Sequence, residues 1–255
     1  MVEIKTDQSL QAMREAGRVV AQGLTAVREA AGIGSSLREL DEVAHEVLRK
    51  AGASSPFLHY KPSFAPTPFP AVICASVNDA IVHGIPDDYR LADGDLVSID
   101  FGAKLDGWAG DSAISFIVGT PRPADTKLVE TAFAALDAGI AAATVGNRIG
   151  DIAHAIGKVC RSAGYGIPEG FGGHGIGRQM HEDPSVPNEG RPGRGMPLRH
   201  GMVLAIEPML IGGGTDRYYE DRDGWTLRTV DGTRAAHAEH TVAITDDGPR
   251  ILTQL

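Results

Sequence analysis

The sequence predicts one α/β domain made of two related halves, residues 8–120 and 121–255, with helices on one side of a curved antiparallel sheet. An internal repeat is the first sign of this. At a constant offset of 112, Leu37, Leu40, Ala44, Val47, Leu48 and Gly52 return as Ile149, Ile152, Ile156, Val159, Cys160 and Gly164. Amphipathic helices resemble one another by chance, but here the lengths and the bounding glycines agree as well. The strands echo too. Gly94-Asp-Leu-Val-Ser-Ile-Asp100 resembles Gly201-Met-Val-Leu-Ala-Ile-Glu207, and Asp111-Ser-Ala-Ile resembles Glu239-His-Thr-Val. Each half therefore reads helix, helix, strands, with two strand-borne acids at matching places. A hairpin is the third sign. Between Asp95 and Phe116 an Asp106-Gly107 dipeptide separates two alternating runs, the pattern of a two-residue turn.

In chain order, Leu10, Met13, Gly17, Val20, Leu24 and Val27 recur at helical spacing and predict an amphipathic helix over residues 8–31. Ser36 and Glu39 form a capping-box pattern that opens a second helix, ending near Gly52. Residues 54–70 hold five prolines together with Phe57, Tyr60, Phe64 and Phe69, which excludes regular structure. An apolar loop of that length in a compact domain packs over something. A strand over residues 71–77 follows, then the hairpin. There Leu105 faces Trp108, so Gly102 faces Asp111, Ile99 faces Ile114 and Val97 faces Phe116. Val97, Ile99, Ile114 and Phe116 share a core face, while Ser98, Asp100, Asp111 and Ser115 share the other. The two aspartates become diagonal neighbours, with backbones roughly 7–8 Å apart. Like charges that close are unfavourable unless a cation lies between them; on this stretch alone they read equally well as solvated surface. Leu128, Val129, Ala132, Phe133, Leu136 and Ile140 predict a third helix, and Asn147 caps a fourth that ends at Gly164.

Composition narrows the function classes. The chain is 42% hydrophobic and 22% charged, ordinary for a globular protein. A formal net charge of −9 argues against a nucleic-acid surface. Cys74 and Cys160 make neither a disulfide framework nor a metal knuckle, which fits a reducing compartment. The first residues lack an apolar signal core, and no run reaches the ~20 apolar residues of a membrane span. A cytoplasmic protein is expected. Gly170-x-Gly172-x-x-Gly175 formally matches a dinucleotide fingerprint, but a helix precedes it, and Pro184 and Pro187 prevent a long helix after it. A Rossmann site is excluded on those grounds, and no nucleophile elbow or P-loop is present.

Four acids carry the chemistry: Asp100, Asp111, Glu207 and Glu239. Each follows or sits in an apolar alternating run, so each is expected on a sheet. Inward acids without partners are costly, and no four basic residues sit at matching positions to neutralise them. Divalent metal does so best, and two ions about 3.5–4 Å apart need bridging carboxylates. Among the nine histidines, His174 in the glycine-rich Gly170–Gly177 is the best nitrogen ligand, because glycines let backbone approach and leave the ring accessible. His181 and His83 come next. His45 and His154 lie in helix patterns, and these two, with His59, His200, His237 and His240, take a structural or solvated reading.

These residues resemble the type I methionine aminopeptidases over nearly the whole chain. The motifs are Met13-Arg-Glu-Ala-Gly17, Ser76-Val-Asn-Asp-Ala-Ile-Val-His83-Gly-Ile-Pro86, Asp100 with Asp111, Gly173-His174-Gly-Ile-Gly177, His181-Glu-Asp-Pro184, Ile206-Glu207-Pro208 and Glu239-His-Thr241. The resemblance implies the pita-bread fold, and two divalent ions (Co, Mn, Fe or Zn) held by Asp100, Asp111, His174, Glu207 and Glu239. It implies removal of the initiator methionine from nascent polypeptides, at the ribosome, by a monomer that binds neither nucleic acid nor membrane. Glu207 would be ligand and general base, His181 would stabilise the tetrahedral intermediate, and His83 would bind near the scissile nitrogen. Phe69, Cys74, His83 and Trp225 would line the methionine pocket. The chain resembles the short bacterial form, without a preceding zinc-binding or polybasic segment. It departs from the common pattern at Ser63, Pro66 and Met180, and apolar Met180 is expected to preserve methionine binding. Two rivals share the fold: an Xaa-Pro peptidase, which usually carries a large N-terminal domain, and a non-catalytic binding protein, which need not keep every ligand.

Overall fold

The structure is a computed structural model describing residues 2–63 and 65–255, so Phe64 of the proline-rich loop lies outside the described residues. Helix α1, Asp7–Ala30, starts at Thr6, whose Oγ1 accepts from Ser9 N. Helix α2, Leu37–Ala51, opens with both halves of the expected capping box. Glu39 N donates to Ser36 Oγ at 3.2 Å, and Ser36 N donates to Glu39 Oε2 at 2.7 Å. It closes at Gly52 with φ 64, the left-handed conformation glycine adopts without strain. Strands β1, Ile73–Val77, and β2, Ala80–Val82, follow. The hairpin is β3, Leu96–Leu105, and β4, Trp108–Ile117. Helices α3, Pro123–Ala142, and α4, Ile149–Ser162, open the second half. Then come β5, Gly172–Gly175, β6, Glu182–Pro187, β7, Val203–Ile206, and β8, Met209–Ile211. The chain ends with β9, Tyr218–Glu220, β10, Leu227–Thr229, β11, Ala235–His237, β12, Glu239–Thr245, and β13, Gly248–Ile251.

Two boundaries differ from the sequence reading. Asn147 does not cap α4. Its Nδ2 donates to Ala142 O at 2.9 Å at the end of α3, and the cap is Arg148, whose backbone N–H donates to Asp151 Oδ2 at 2.7 Å. The first strand starts at Ile73 and not at Ala71. Asp41 of α2 accepts the Val72 N–H at 2.9 Å, so that residue is held by the helix before the ladder begins.

The hairpin has the expected register throughout, with Leu105 opposite Trp108, Gly102 opposite Asp111 and Val97 opposite Phe116. Asp106 and Gly107 both have positive φ, 50° and 79°. That is the type I′ turn whose twist matches the flanking strands. The main sheet runs β1-β3-β4-β12-β7-β5-β6, with β13 against β12; every pairing is antiparallel. The halves meet at the β4–β12 junction, with three strands on one side and four, plus β13, on the other. Only Ala113–Glu239 and Ser112–His240 pair there. Thr241 extends the joint, its Oγ1 accepting from Asp111 N at 3.0 Å and donating to Asp111 O at 2.7 Å.

The helices bury one face of this sheet. Val20, Leu24 and Leu40 pack with Ile73, Ile99 and Phe101 in the first half. Leu136, Ile152 and Ile156 pack with Leu204, Ile206 and Val242 in the second. Fully burying each such side chain is worth about 1.5–3 kcal/mol. Two small sheets, β2-β10-β9 and β8-β11, are formed apart from the main one. Strand alternation directs Asp100 and Asp111 away from the helices.

Helix α1 sits close to the C-terminal segment because Gly17 has no side chain. A Cβ there would lie 2.1 Å from the Leu252 carbonyl oxygen. Alanine gains about 1 kcal/mol of helix propensity over glycine, but a backbone clash of that depth forces a larger loss. Gly17→Ala should therefore lower the thermal midpoint by several degrees, and a raised midpoint would refute the close-packing account.

Candidate metal centre

Four of the five expected ligands stand on strands of the main sheet, and the fifth directly follows one. Asp100 is on β3, Asp111 on β4, His174 on β5 and Glu239 at the head of β12, while Glu207 follows directly on β7. Ligand atoms of Asp111, His174 and Glu239 all lie within 4.8 Å of one another, and so do those of Glu207, His237 and Glu239. His174 Nε2 is 3.5 Å from Glu207 Oε1. Asp111 and Glu239 are buried, at 4% and 1% exposure, which removes the reading of a solvated sheet face.

Local sequence explains how each side chain is held. A Cβ at Gly173 would lie 2.0 Å from Ala205 O of β7, and one at Gly175 would lie 2.1 Å from Asp183 O of β6. The glycine run around His174 lets β5 pass between its two neighbours. His174 Nδ1 lies 2.8 Å from Gly175 O. A carbonyl only accepts, so the ring proton is on Nδ1 and Nε2 turns a lone pair to the acids, the tautomer of a metal ligand. Glu207 is followed by Pro208, which keeps it extended, and its carbonyl accepts from Asn188 Nδ2 at 2.9 Å.

The acids have no counter-charge. Among the described residues no lysine or arginine lines their cavity. Asp100 Oδ1, Asp111 Oδ1, Glu239 Oε1 and His237 Nε2 are buried without a hydrogen-bond partner, although buried polar atoms are ordinarily paired. Burial raises Glu207 to about 8. It raises Asp100 to about 6, with His237 opposing and Glu207 adding to the shift. Asp111 and Glu239 go well above the carboxylate range, through burial and then through their acidic neighbours. Burial, then His181, lowers His174 to about 3, leaving it neutral. Four oxygen donors and an imidazole lone pair, several of them unpartnered, fit divalent transition-metal ions.

A cavity of about 330 Å³ opens on these residues. All four expected pocket residues, Phe69, Cys74, His83 and Trp225, line it, joined by Phe57 and Tyr60 of the proline-rich loop and by Phe171 and Met209. The loop is thus a wall of the site. Phe69 meets Trp225 edge to face at 5.1 Å, and Trp225 Nε1 donates to Thr67 O at 3.0 Å. Burial drives the Cys74 thiol far up, so it stays a thiol. His83 has φ 61 at the end of β2, a region uncommon for a residue with a side chain. Its ring stands 6.2 Å from Trp225 and 6.0 Å from Phe171, and burial lowers it to about 4. His181 is at the rim, its ring 4.4 Å from His174 and 5.5 Å from Tyr60.

Two positions depart from expectation. Met180 does not line the cavity; it is buried with Met13, Trp108 and Ile176 beside the hairpin. His237, given a structural reading, stands in the centre, with Nε2 3.3 Å from Glu207 Oε2 and 3.9 Å from Glu239 Oε2. Its spacing of two from Glu239 in an extended segment was the available signal, because alternation puts both on one face. His240 is structural, with Nδ1 2.9 Å from Thr253 Oγ1.

Residues 11–246 match the model of metallopeptidase family M24. Methionine aminopeptidase 1 of Mycobacterium tuberculosis is 57% identical over 251 residues, covering 96% of this chain and 92% of its own. The methionine aminopeptidase of Clostridium acetobutylicum is 44% identical over 254 residues, covering 99% of both. Among solved structures, the methionine aminopeptidase of Thermotoga maritima superposes with a TM-score of 0.95 at 38% identity over all of both chains. Prolidase from Pyrococcus furiosus shares the fold, with a TM-score of 0.77 at 23% identity over 99% of this chain and 65% of its own. No helix among the described residues is long and apolar enough to cross a membrane. With the pita-bread fold, the strand-borne acids and these matches together, the chain belongs to the methionine aminopeptidases of metallopeptidase family M24.

Proposed function

We propose that this chain removes the initiator methionine from nascent polypeptides with a small second residue, at two divalent ions held by Asp100, Asp111, His174, Glu207 and Glu239. Residues 1–255 act as one catalytic domain, in the cytoplasm, as a monomer working on chains emerging from the ribosome. The observation that carries the reading is a set of four acids, Asp111 and Glu239 buried and Asp100 and Glu207 half-buried, with an imidazole and without a counter-charge, in an apolar cavity. Mn, Fe, Co and Zn all suit that donor set.

Bound there, a divalent ion would polarise the scissile carbonyl and lower the pKa of water. Glu207 takes the proton released as water attacks and passes it to the leaving amine, acting as general base and then general acid. His181, at the rim, donates toward the carbonyl oxygen as negative charge develops on it. Neutral His83 binds near the scissile nitrogen. The free α-amine of the substrate would reach one of the ions as a neutral donor, which selects a free chain end. Phe69, Cys74 and Trp225 take the methionine side chain.

Glu207→Ala should lower methionine release from Met-Ala-Ser by at least about 10²–10⁴-fold, with the far-ultraviolet circular dichroism unchanged; full activity would refute the base assignment. Wild-type protein with manganese or cobalt should cleave Met-Ala-Ser and spare an Xaa-Pro dipeptide lacking methionine. Cleavage of the dipeptide alone would make the chain an Xaa-Pro peptidase.

The raised acids also set a pH dependence. Glu207 has a folded pKa of about 8 against an ordinary 4.5. Between those values the folded chain holds a proton the unfolded chain has lost, so stability falls as pH rises. The buried histidines His83 and His174 act in the opposite sense, but only below their ordinary 6.5. From pH 6.5 to 8 the acids therefore dominate within the centre. In chelator the thermal midpoint should drop across that window, and saturating manganese should remove the drop by replacing the protons. A flat midpoint in chelator would show that the metal-free acids are already ionised at pH 6.5.

A further inference from the structure

His237 lies outside the ligand set that the resemblance implies, yet the fold fixes it at the centre. It ends β11 opposite Met209 of β8. Its backbone is held on both sides by one hydroxyl: His237 N donates to Ser115 Oγ at 2.9 Å, and Ser115 Oγ is 2.7 Å from His237 O. Ser115 Oγ in turn is 2.7 Å from Ser98 Oγ on the facing strand of the hairpin. This anchoring is made by main chain and serines, so it does not depend on the imidazole. The side chain is 2% exposed.

Each oxygen of Glu207 faces an imidazole nitrogen, His174 Nε2 at 3.5 Å from Oε1 and His237 Nε2 at 3.3 Å from Oε2. The two rings are set differently. His174 commits its Nδ1 proton to the Gly175 carbonyl and so presents a lone pair. His237 Nε2 is buried without a completed hydrogen bond, and Glu207 Oε2 at 3.3 Å is its nearest carboxylate oxygen. Around Nε2 stand Glu207 Oε2 and, farther off, Glu239 Oε2 at 3.9 Å. A lone pair aimed at two carboxylates is repelled, whereas an N–H there makes a charge-assisted hydrogen bond. Carboxylates that bind metal are themselves held by such outer donors.

We propose that His237 is a positioning residue whose Nε2, 3.3 Å from Glu207 Oε2, donates to it in the metal-loaded centre and so holds Glu207 with Oε1 turned to the metal site. The inference rests on the metal-centre reading above. It gives Glu207 two imidazoles of opposite role, His174 beside it as a ligand and His237 behind it as a donor.

Titration calorimetry with manganese(II) on wild type, His237→Leu and His237→Gln tests it. Leucine removes the donor and glutamine restores an N–H. His237→Leu should bind the same number of ions about 10–100-fold more weakly, and His237→Gln should recover most of the affinity. In His237→Leu the kcat for Met-Ala-Ser should fall with KM little changed. Wild-type affinity in His237→Leu would overturn the proposal. So would equal weakening in both variants with an altered visible spectrum of the cobalt(II) protein, because the imidazole would then be a ligand. Nitrogen-15 NMR of wild-type protein loaded with zinc gives a reading that needs no variant. A protonated Nε2 on His237 supports the proposal, and a metal-bound Nε2 or an Nδ1–H tautomer overturns it. Failure of wild type itself to bind metal would overturn the metal-centre reading and this proposal with it, whereas the variant and tautomer outcomes above would overturn this proposal alone.

Discussion

Four carboxylates drawn together, two of them fully buried and two half-buried, with no cation among the side chains around them, are the constraint on which this structure turns. Burying one ionised carboxylate without a partner is expensive, and bringing four together adds mutual repulsion. The raised acids, Glu207 at about 8 and Asp100 at about 6, express that cost as held protons. A site of this kind is unfavourable for the bare chain and becomes favourable when divalent ions take the place of the protons. The rest of the fold supplies the stability that lets the chain carry it.

That stability lies on the opposite face of the sheet. Two helix pairs bury Ile99 and Phe101 in one half and Ile206 and Val242 in the other, while the same strands present acids on their far side. Strands hold such groups more rigidly than loops. The joint between the halves is narrow, only two paired residues on each strand. The hydroxyl of Thr241 reinforces it by bonding both backbone groups of Asp111. One side chain thereby fixes Asp111 relative to Glu239, two positions away from it in sequence.

Local irregularities gather at the same place. His83 is left-handed at a strand end, the glycines around His174 yield to neighbouring carbonyls, and a proline-rich loop replaces regular structure over the cavity. Each would weaken an ordinary sheet. Together they shape an apolar chamber above a polar floor, the division of labour needed to hold an apolar side chain while the neighbouring peptide bond is cleaved. Departures from local consistency are expected where function competes with folding.

What neighbouring residues decide among themselves was legible in the sequence. The Asp106-Gly107 turn set the hairpin register because a type I′ turn is a local conformational choice, and that register put Asp100 and Asp111 on one face. Ser36 and Glu39 announced a helix start because both partners lie within one turn. The pseudo-repeat was visible because each half buries the same kind of face. Tertiary structure decided the remainder. Asn147 gave up the cap of α4 because the end of α3 offered its side chain a carbonyl. Asp41 delayed the first strand by reaching from a helix thirty-one residues away. Met180 left the cavity because the turn after β5 places it beside Trp108. His237 became part of the centre only when the pairing of β8 with β11 carried it to Glu207, thirty residues back along the chain. Its surroundings come from strands distant in sequence, and the charge, burial and missing partners that give its nitrogen a role exist only once those strands have met.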